Sequence, residues 1–289
     1  MSDRVKRVRA PDLKEMKQRG EKIAMLTAYD ALMARLIERA GIDVLLVGDS
    51  VGMVLLGYDT TLPVTLDAMI HHTRAVSRGV QRALVVADMP FLTYQVTADE
   101  ALRNAGRLVQ EGGAQAVKIE GGRAVVDTVR RLVEVGIPVM GHLGLTPQAV
   151  HHLGGYRRQA RSKADAQRLL EDAQALENAG AFAIVLECIP HEVARAVTEK
   201  LTIPTIGIGA GPHCDGQVLV SHDALGLSGD AAPSFVKHYA QLGAQLAEGV
   251  KAYIHEVKTG RYPAPAEARP RVENQRHERA ARQLDQRVA

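Results

Sequence analysis

Seven polar residues stand where short apolar runs of this 289-residue chain end. Asp49 and Ser50 close LLVGDS, Asp88 closes ALVVAD, Lys118 and Glu120 close AVKIE, His142 closes PVMGH, and Glu187 closes AIVLE. Four carboxylates gathered at one rim repel one another unless a cation, a proton or basic partners compensate them. Carboxylate oxygens with no cysteine and little histidine favour a hard divalent cation, Mg²⁺ first, with Mn²⁺ left open. Asp49 and Asp88 are the best direct ligands, and Glu120 ligates directly or through water. Lys118 precedes Glu120 by two residues, so strand alternation puts both on one face. An ammonium at such a position calls for an ion pair or an anionic substrate, and a substrate carboxylate is the favoured partner. His142 either holds a substrate oxygen or fixes a loop. Glu187 is the candidate base, because a partly desolvated carboxylate beside a metal-held carbonyl can take a carbon-bound α-proton. The chemistry so read is metal-assisted enolisation of a small 2-oxo acid.

These groups need elements that bring strand ends together. Eight apolar runs qualify as strands: 23–28, 44–47, 83–87, 116–119, 138–140, 182–186, 204–208 and 217–220. They alternate with helical patterns, which predicts a (βα)8 TIM barrel whose helices cover every parallel strand. A doubly wound sheet would need a reversal of strand order and a domain break, and no linker interrupts residues 20–255. The organisation expected is an N-terminal lead-in with a short helix (1–20), one barrel domain (21–260) and a basic tail (261–289). The stretch 51–65 is long for a strand-to-helix loop and is expected to lie as a lid over the rim. A helix is expected from Pro233 to about Ala252. The glycine-rich GIGAG of 207–211 either cradles a phosphate, allows close approach of a ligand, or simply makes a tight turn. His71-His72 and His151-His152 lack metal-site clustering and read as surface or helix histidines.

Composition excludes several classes. No apolar run approaches membrane-spanning length, and MSDRVKRVRAP lacks a secretory hydrophobic segment, so a cytoplasmic protein is expected. Cys188 and Cys214 are the two cysteines, which argues against a disulfide framework or a thiolate zinc site. The formal charge is +3, but residues 1–10 and 261–289 each contribute +3, so residues 11–260 carry −3. A mildly acidic body with 3% aromatic residues gives little support for a nucleic-acid surface.

Several segments, in order and at their spacing, resemble the 3-methyl-2-oxobutanoate hydroxymethyltransferase (ketopantoate hydroxymethyltransferase) family over roughly residues 8–263. They are TAYD at 27–30, LLVGDSVGMVLLGYDTTLPVTLD at 45–67, VVADMPF at 85–91, VKIEGG at 117–122, VMGHLGLTPQ at 139–148, ECIP at 187–190 and PTIGIGAG at 204–211. The resemblance implies a (βα)8 fold and a Mg²⁺-dependent transfer of a one-carbon unit from 5,10-methylenetetrahydrofolate to 3-methyl-2-oxobutanoate, giving 2-dehydropantoate for pantothenate synthesis. Carried over by position, Asp49 and Asp88 match metal-contacting aspartates that also border the substrate, and Glu120 a metal-associated glutamate. Ser50 and Lys118 match substrate-carboxylate contacts, His142 a substrate-site histidine, and Glu187 the proton acceptor. The resemblance assigns no folate-contacting residue, and it implies a homodecamer. Two other readings compete. Phosphoenolpyruvate mutase and isocitrate lyase barrels would need a KKCG-like loop that is absent here, and a non-catalytic anion sensor would bind the oxo acid without turnover.

Overall fold

The computed structural model describes residues 6–229 and 232–264. Eight strands close into an all-parallel barrel in chain order: β1 (Ile23–Thr27), β2 (Val44–Val47), β3 (Leu84–Asp88), β4 (Ala116–Glu120), β5 (Val139–Gly144), β6 (Ala183–Glu187), β7 (Thr205–Ile208) and β8 (Gly216–Leu219). The (βα)8 barrel read from the alternation is therefore the fold observed. β5 runs further than the expected 138–140, because Leu143 and Gly144 pair with Leu186 and Glu187 of β6. His142 accordingly lies within a strand rather than after it.

Side-chain parity explains how the strands feed the rim. Val44 and Leu46, Leu84 and Val86, Ala116, Met140, Ala183 and Val185 fill the barrel interior. Their outward neighbours, among them Leu45, Val85, Val117, Ile119, Ile184 and Leu186, pack beneath the surrounding helices. Continuing the inward series by twos leads to Asp88 on β3, Lys118 and Glu120 on β4, His142 on β5 and Glu187 on β6. The interior is thus apolar low in the barrel and charged at its C-terminal end. Register then makes neighbours of opposite charges: Asp88 stands beside Lys118, and Glu120 beside His142.

The helices that cover the barrel begin on caps chosen by chemistry. Asp30 accepts from the backbone N–H of Leu32 and Met33 ahead of the helix Ala31–Arg39. Thr65, Thr97 and Ser162 do the same for Leu66–Gly79, Ala98–Gln110 and Lys163–Asn178. At the opposite end of the barrel the helix Ala10–Gln18 inserts Leu13, fully buried, into the interior cluster. Its Lys17 donates to the carbonyls of Thr198 and Ile203 and pairs with Asp215 at 3.0 Å.

The chain divides into two compact units, residues 1–240 and 241–289. The helix expected from Pro233 starts instead at Leu242 and runs to Lys258. Residues 233–240 follow a different path because tertiary contacts claim them. Phe235 packs onto Gly209, where an added Cβ would lie 2.8 Å from its ring, and the backbone N–H of Tyr239 donates to the carbonyl of Ala224. No residue of the helix Leu242–Lys258 is buried. Most of the basic tail (261–289) lies outside the described residues, as do Asp3 and Arg4 of the N-terminal charge cluster.

Candidate active site

All seven residues singled out from the sequence line a single cavity of about 930 Å³ at the C-terminal end of the barrel. Asp49, Asp88, Lys118, Glu120 and His142 are buried in its floor. The backbone N–H of Asp49 donates to Asp88 Oδ2 at 3.1 Å, which draws the ends of β2 and β3 together. Gly48 leaves room for Ser50: a Cβ there would stand 2.7 Å from Ser50 Oγ. Ser50 Oγ and Tyr29 Oη form a hydrogen bond of 2.8 Å at the start of the short helix Val51–Val54.

Charge alternates across the floor. Lys118 Nζ contacts Asp88 Oδ1 at 2.9 Å and His142 Nδ1 at 3.2 Å. His142 Nδ1 is 3.4 Å from Glu120 Oε1, while its Nε2 is 3.1 Å from Glu187 Oε2. Burial lowers the affinity of Lys118 for its proton, but Asp88, Glu120 and Asp49 outweigh it and hold the ammonium charged. Burial and Lys118 likewise push His142 down, yet its contacts with Glu120 and Glu187 raise it to about 9. Asp49 is pushed well above the usual carboxylate range by burial and then by the charges of Asp88 and Glu120. Asp88 is raised too, by burial, although Lys118 pulls against the shift.

Position on the chain explains how Glu187 reaches this network from the side. Gly144, with φ +95°, leaves room for the end of β6: a Cβ at that glycine would lie 2.2 Å from the Glu187 carbonyl oxygen. Cys188 follows with φ +47°, turning the chain immediately after the carboxylate.

Two residues escaped the sequence reading. Gln148 is buried, its Nε2 donates to Asp49 Oδ2 and to the Met89 carbonyl (both 2.9 Å), and its backbone N–H donates to Glu120 Oε2 at 3.0 Å. Tyr94 Oη donates to Gln148 Oε1 at 2.8 Å and accepts from the Glu120 backbone N–H at 3.1 Å. Gln148 therefore ties together two carboxylates that lie 71 positions apart in sequence, with Tyr94 fixing its amide. Nothing in local composition marks a glutamine after a Thr-Pro turn as such a bridge.

The donor set fits a hard cation in a restricted sense. Among the described residues, no three His, Cys, Asp or Glu side chains close around one point. Mg²⁺ does not require that, since it keeps water and takes one or two carboxylates plus substrate oxygens. Asp88 Oδ1 and His142 Nε2 are buried and aligned with no hydrogen-bond partner, despite their close charged neighbours. Among the described residues, the cations in contact with these four carboxylates are Lys118 and His142, a shortage of positive charge that a divalent ion would make up. Asp49 and Asp88, with Glu120 nearby on the floor, could hold such an ion.

The remaining sequence readings resolve locally. Met53, Val54, Tyr58, Asp59 and Thr61 of the 51–65 stretch line the cavity mouth. Gly209 and Gly211 have positive φ and are packed by Phe235 and His191, so in GIGAG they serve a tight turn and close packing. His72 Nδ1 bonds the Tyr29 carbonyl at 2.8 Å, and His71, His151 and His152 are on or near the surface.

A closed parallel barrel whose C-terminal rim gathers carboxylates, an ammonium and an imidazole in one cavity defines a (βα)8 enzyme. The family model of ketopantoate hydroxymethyltransferase matches residues 7–265, and the chain belongs to that family. It is 58% identical over 252 residues to a 3-methyl-2-oxobutanoate hydroxymethyltransferase of Geobacter metallireducens, covering 87% of this chain and 94% of the relative. A protein of that name from Moorella thermoacetica is also 58% identical, over 257 residues, covering 89% and 96%. Among solved structures, a phosphoenolpyruvate phosphomutase of Streptomyces platensis shares the fold at TM-score 0.60 and 15% identity, over 96% of this chain and 98% of the other. A 2,3-dimethylmalate lyase does so at TM-score 0.55 and 18% identity, over 97% and 98%.

Proposed function

We propose that this enzyme transfers a hydroxymethyl group from 5,10-methylenetetrahydrofolate to 3-methyl-2-oxobutanoate, giving 2-dehydropantoate and tetrahydrofolate on the route to pantothenate. The observation that carries the reading is the division of labour in the cavity. Lys118 and Ser50 offer a cation and a hydroxyl to a carboxylate, while Glu187, less buried than the floor, is the carboxylate placed to take a proton. The names of the family and of its relatives support a hydroxymethyl transfer to 3-methyl-2-oxobutanoate.

Mg²⁺, when bound at Asp49, Asp88 and Glu120, supplies positive charge to the acceptor's carboxylate and carbonyl oxygens and so acidifies C3. The residues do the rest. Lys118 and Ser50 anchor the acceptor carboxylate, and His142 presents Nε2 toward Glu187 and the substrate oxygen. Glu187 removes the C3 proton, and the resulting carbanion forms a C–C bond to the donor's methylene carbon. Water supplies the hydroxyl oxygen by adding to that methylene carbon before the C–C bond forms. Both carbon–nitrogen bonds to the folate break, the two protons of water go to the folate nitrogens, and the proton taken by Glu187 goes to the oxygen left on the carbon after the C–C bond has formed. By the same family resemblance the enzyme is cytoplasmic and homodecameric. The exposed Leu246, Val250, Tyr253 and Val257 on the helix Leu242–Lys258 support assembly, and among the described residues no helix is long and apolar enough to cross a membrane.

The test is exchange of the C3 proton of 3-methyl-2-oxobutanoate for deuterium, followed by NMR. Wild type with Mg²⁺ should exchange, and Glu187→Gln should slow exchange by about 10²–10⁴-fold. Exchange that survives in Glu187→Gln reassigns the base. Absence of exchange in wild type, with tetrahydrofolate and alternative divalent metals supplied, would favour the anion sensor or the related lyases.

A further inference from the structure

The cavity is larger than the acceptor needs. Pockets of roughly 300–1,000 Å³ hold drug-sized ligands, and this one, at about 930 Å³, is read to hold a small oxo acid on its floor. Its lining also changes character with depth. The charged floor is buried, whereas the outer wall presents Met53, Tyr58, Tyr156 and Phe235, which are 39%, 42%, 50% and 37% exposed. Four large apolar or aromatic side chains left open to solvent around the mouth of one cavity mark a contact surface.

Two of them already touch. Tyr156 Oη reaches Met53 Sδ at 3.5 Å, joining the stretch after β5 to the stretch after β2 across the mouth. Tyr156 also faces inward: burial, and then the negative charges of Asp49, Glu187 and Glu120, raise the affinity of its hydroxyl for the proton. Arg158 lines both this cavity and an adjoining pocket of about 400 Å³ that also contains Arg161 and Arg168. Arg168 is paired with Asp165, and Arg123 pairs with Asp172 at 2.8 Å. Among the described residues Arg158 and Arg161 make no ion pair.

We propose that the outer wall is the docking subsite of the one-carbon donor: Tyr156, with Met53 and Tyr58, contacts its flat nitrogen-rich ring, and Arg158 binds the carboxylates of its aryl-glutamate end. This rests on the folate-dependent reading above and adds to it the location of the second substrate. The chemistry matches part by part. Aromatic and thioether groups favour the face of a heteroaromatic ring. A planar guanidinium free of protein carboxylates is suited to bidentate carboxylate recognition.

The experiment uses the full-length chain with saturating 3-methyl-2-oxobutanoate and Mg²⁺, titrating 5,10-methylenetetrahydrofolate. Tyr156→Ala and Arg158→Ala should each raise KM for the donor by about tenfold or more. KM for the acceptor and the donor-free C3 exchange rate should move by less than about twofold. Tyr156→Phe, which keeps the ring, should retain a donor KM close to wild type. A donor analogue truncated before its glutamate should be insensitive to Arg158→Ala, locating the loss at the carboxylates. Unchanged donor KM in both alanine variants would overturn the subsite, as would an equal loss of exchange activity. A wild type that exchanges the C3 proton but makes no product from the methylene donor would overturn the folate reading itself, and the subsite with it.

Discussion

His142 Nε2 lies 3.1 Å from Glu187 Oε2, yet it is not aligned to donate a hydrogen bond to that oxygen. The imidazole thus sits between the proposed base and the charged floor with one nitrogen still available. Its other nitrogen is held between Lys118 and Glu120. A small oxygen-bearing ligand placed on the floor would find a donor there without rearrangement.

This arrangement has a pH signature in the metal-free protein. His142 is raised to about 9, above the ordinary histidine value near 6.5. A raised pKa means the folded state binds the proton more tightly than the unfolded chain. The resulting stability is complete below about 6.5 and is lost as pH climbs through about 9. Raised values for Asp49 and Asp88 act in the same direction, beginning lower, in the carboxylate range. The urea midpoint of metal-free protein should therefore fall between pH 6.5 and 9, and His142→Gln should flatten that part of the profile. A variant whose profile parallels wild type would show that His142 does not carry the effect.

Gln148 should govern cation affinity without touching substrate. Gln148→Leu removes the amide that holds Asp49 while leaving the backbone bond to Glu120 intact. Loss of such a supporting partner typically costs 10–100-fold in metal affinity, and calorimetric titration with Mn²⁺ should show a drop of about that size. Unchanged affinity would mean that Asp49 is held adequately by its neighbours alone.

Gly144 is a test of how tightly the position of Glu187 is set. Gly144→Ala places a Cβ against the Glu187 carbonyl in a backbone conformation that L-residues disfavour by about 1–2 kcal/mol. The end of β6 must shift, so C3 exchange should slow even where circular dichroism shows a folded barrel. Normal exchange in that variant would argue that Glu187 tolerates displacement.

The two ends of the barrel should separate stability from chemistry. Leu13 is fully buried at the end remote from the cavity, so Leu13→Ala should cost about 2–5 kcal/mol in chemical denaturation. Its exchange rate at 25 °C, measured on folded protein, should match wild type, since barrels place catalysis at the C-terminal face and stability at the other. A large fall in exchange would show coupling through the interior.

Much of this molecule was legible in its residue order because the relevant signals are local. Apolar runs of strand length alternate with helical patterns, and stepping by twos along β3, β4, β5 and β6 leads to a polar residue at or near the end of each, so the barrel and most of the rim groups follow from periodicity. Asp88, Lys118, Glu120, His142 and Glu187 could be found that way because the pleat alone decides which face they share, whereas Asp49, just past β2 and out of that step, stood out by residue type at a strand end.

What only the tertiary structure decided depends on contacts between distant segments. Phe235 leaves a helical pattern to pack on Gly209, and β5 extends to Gly144 because β6 offers it partners. Gln148 acquires its importance from Asp49 and Glu120, neither of which is its neighbour in sequence. Tyr156 meets Met53 over the mouth in the same way. Backbone periodicity is a property of a few consecutive residues, whereas a hydrogen bond or a packed ring between separate loops exists only after the barrel has closed and set their spacing.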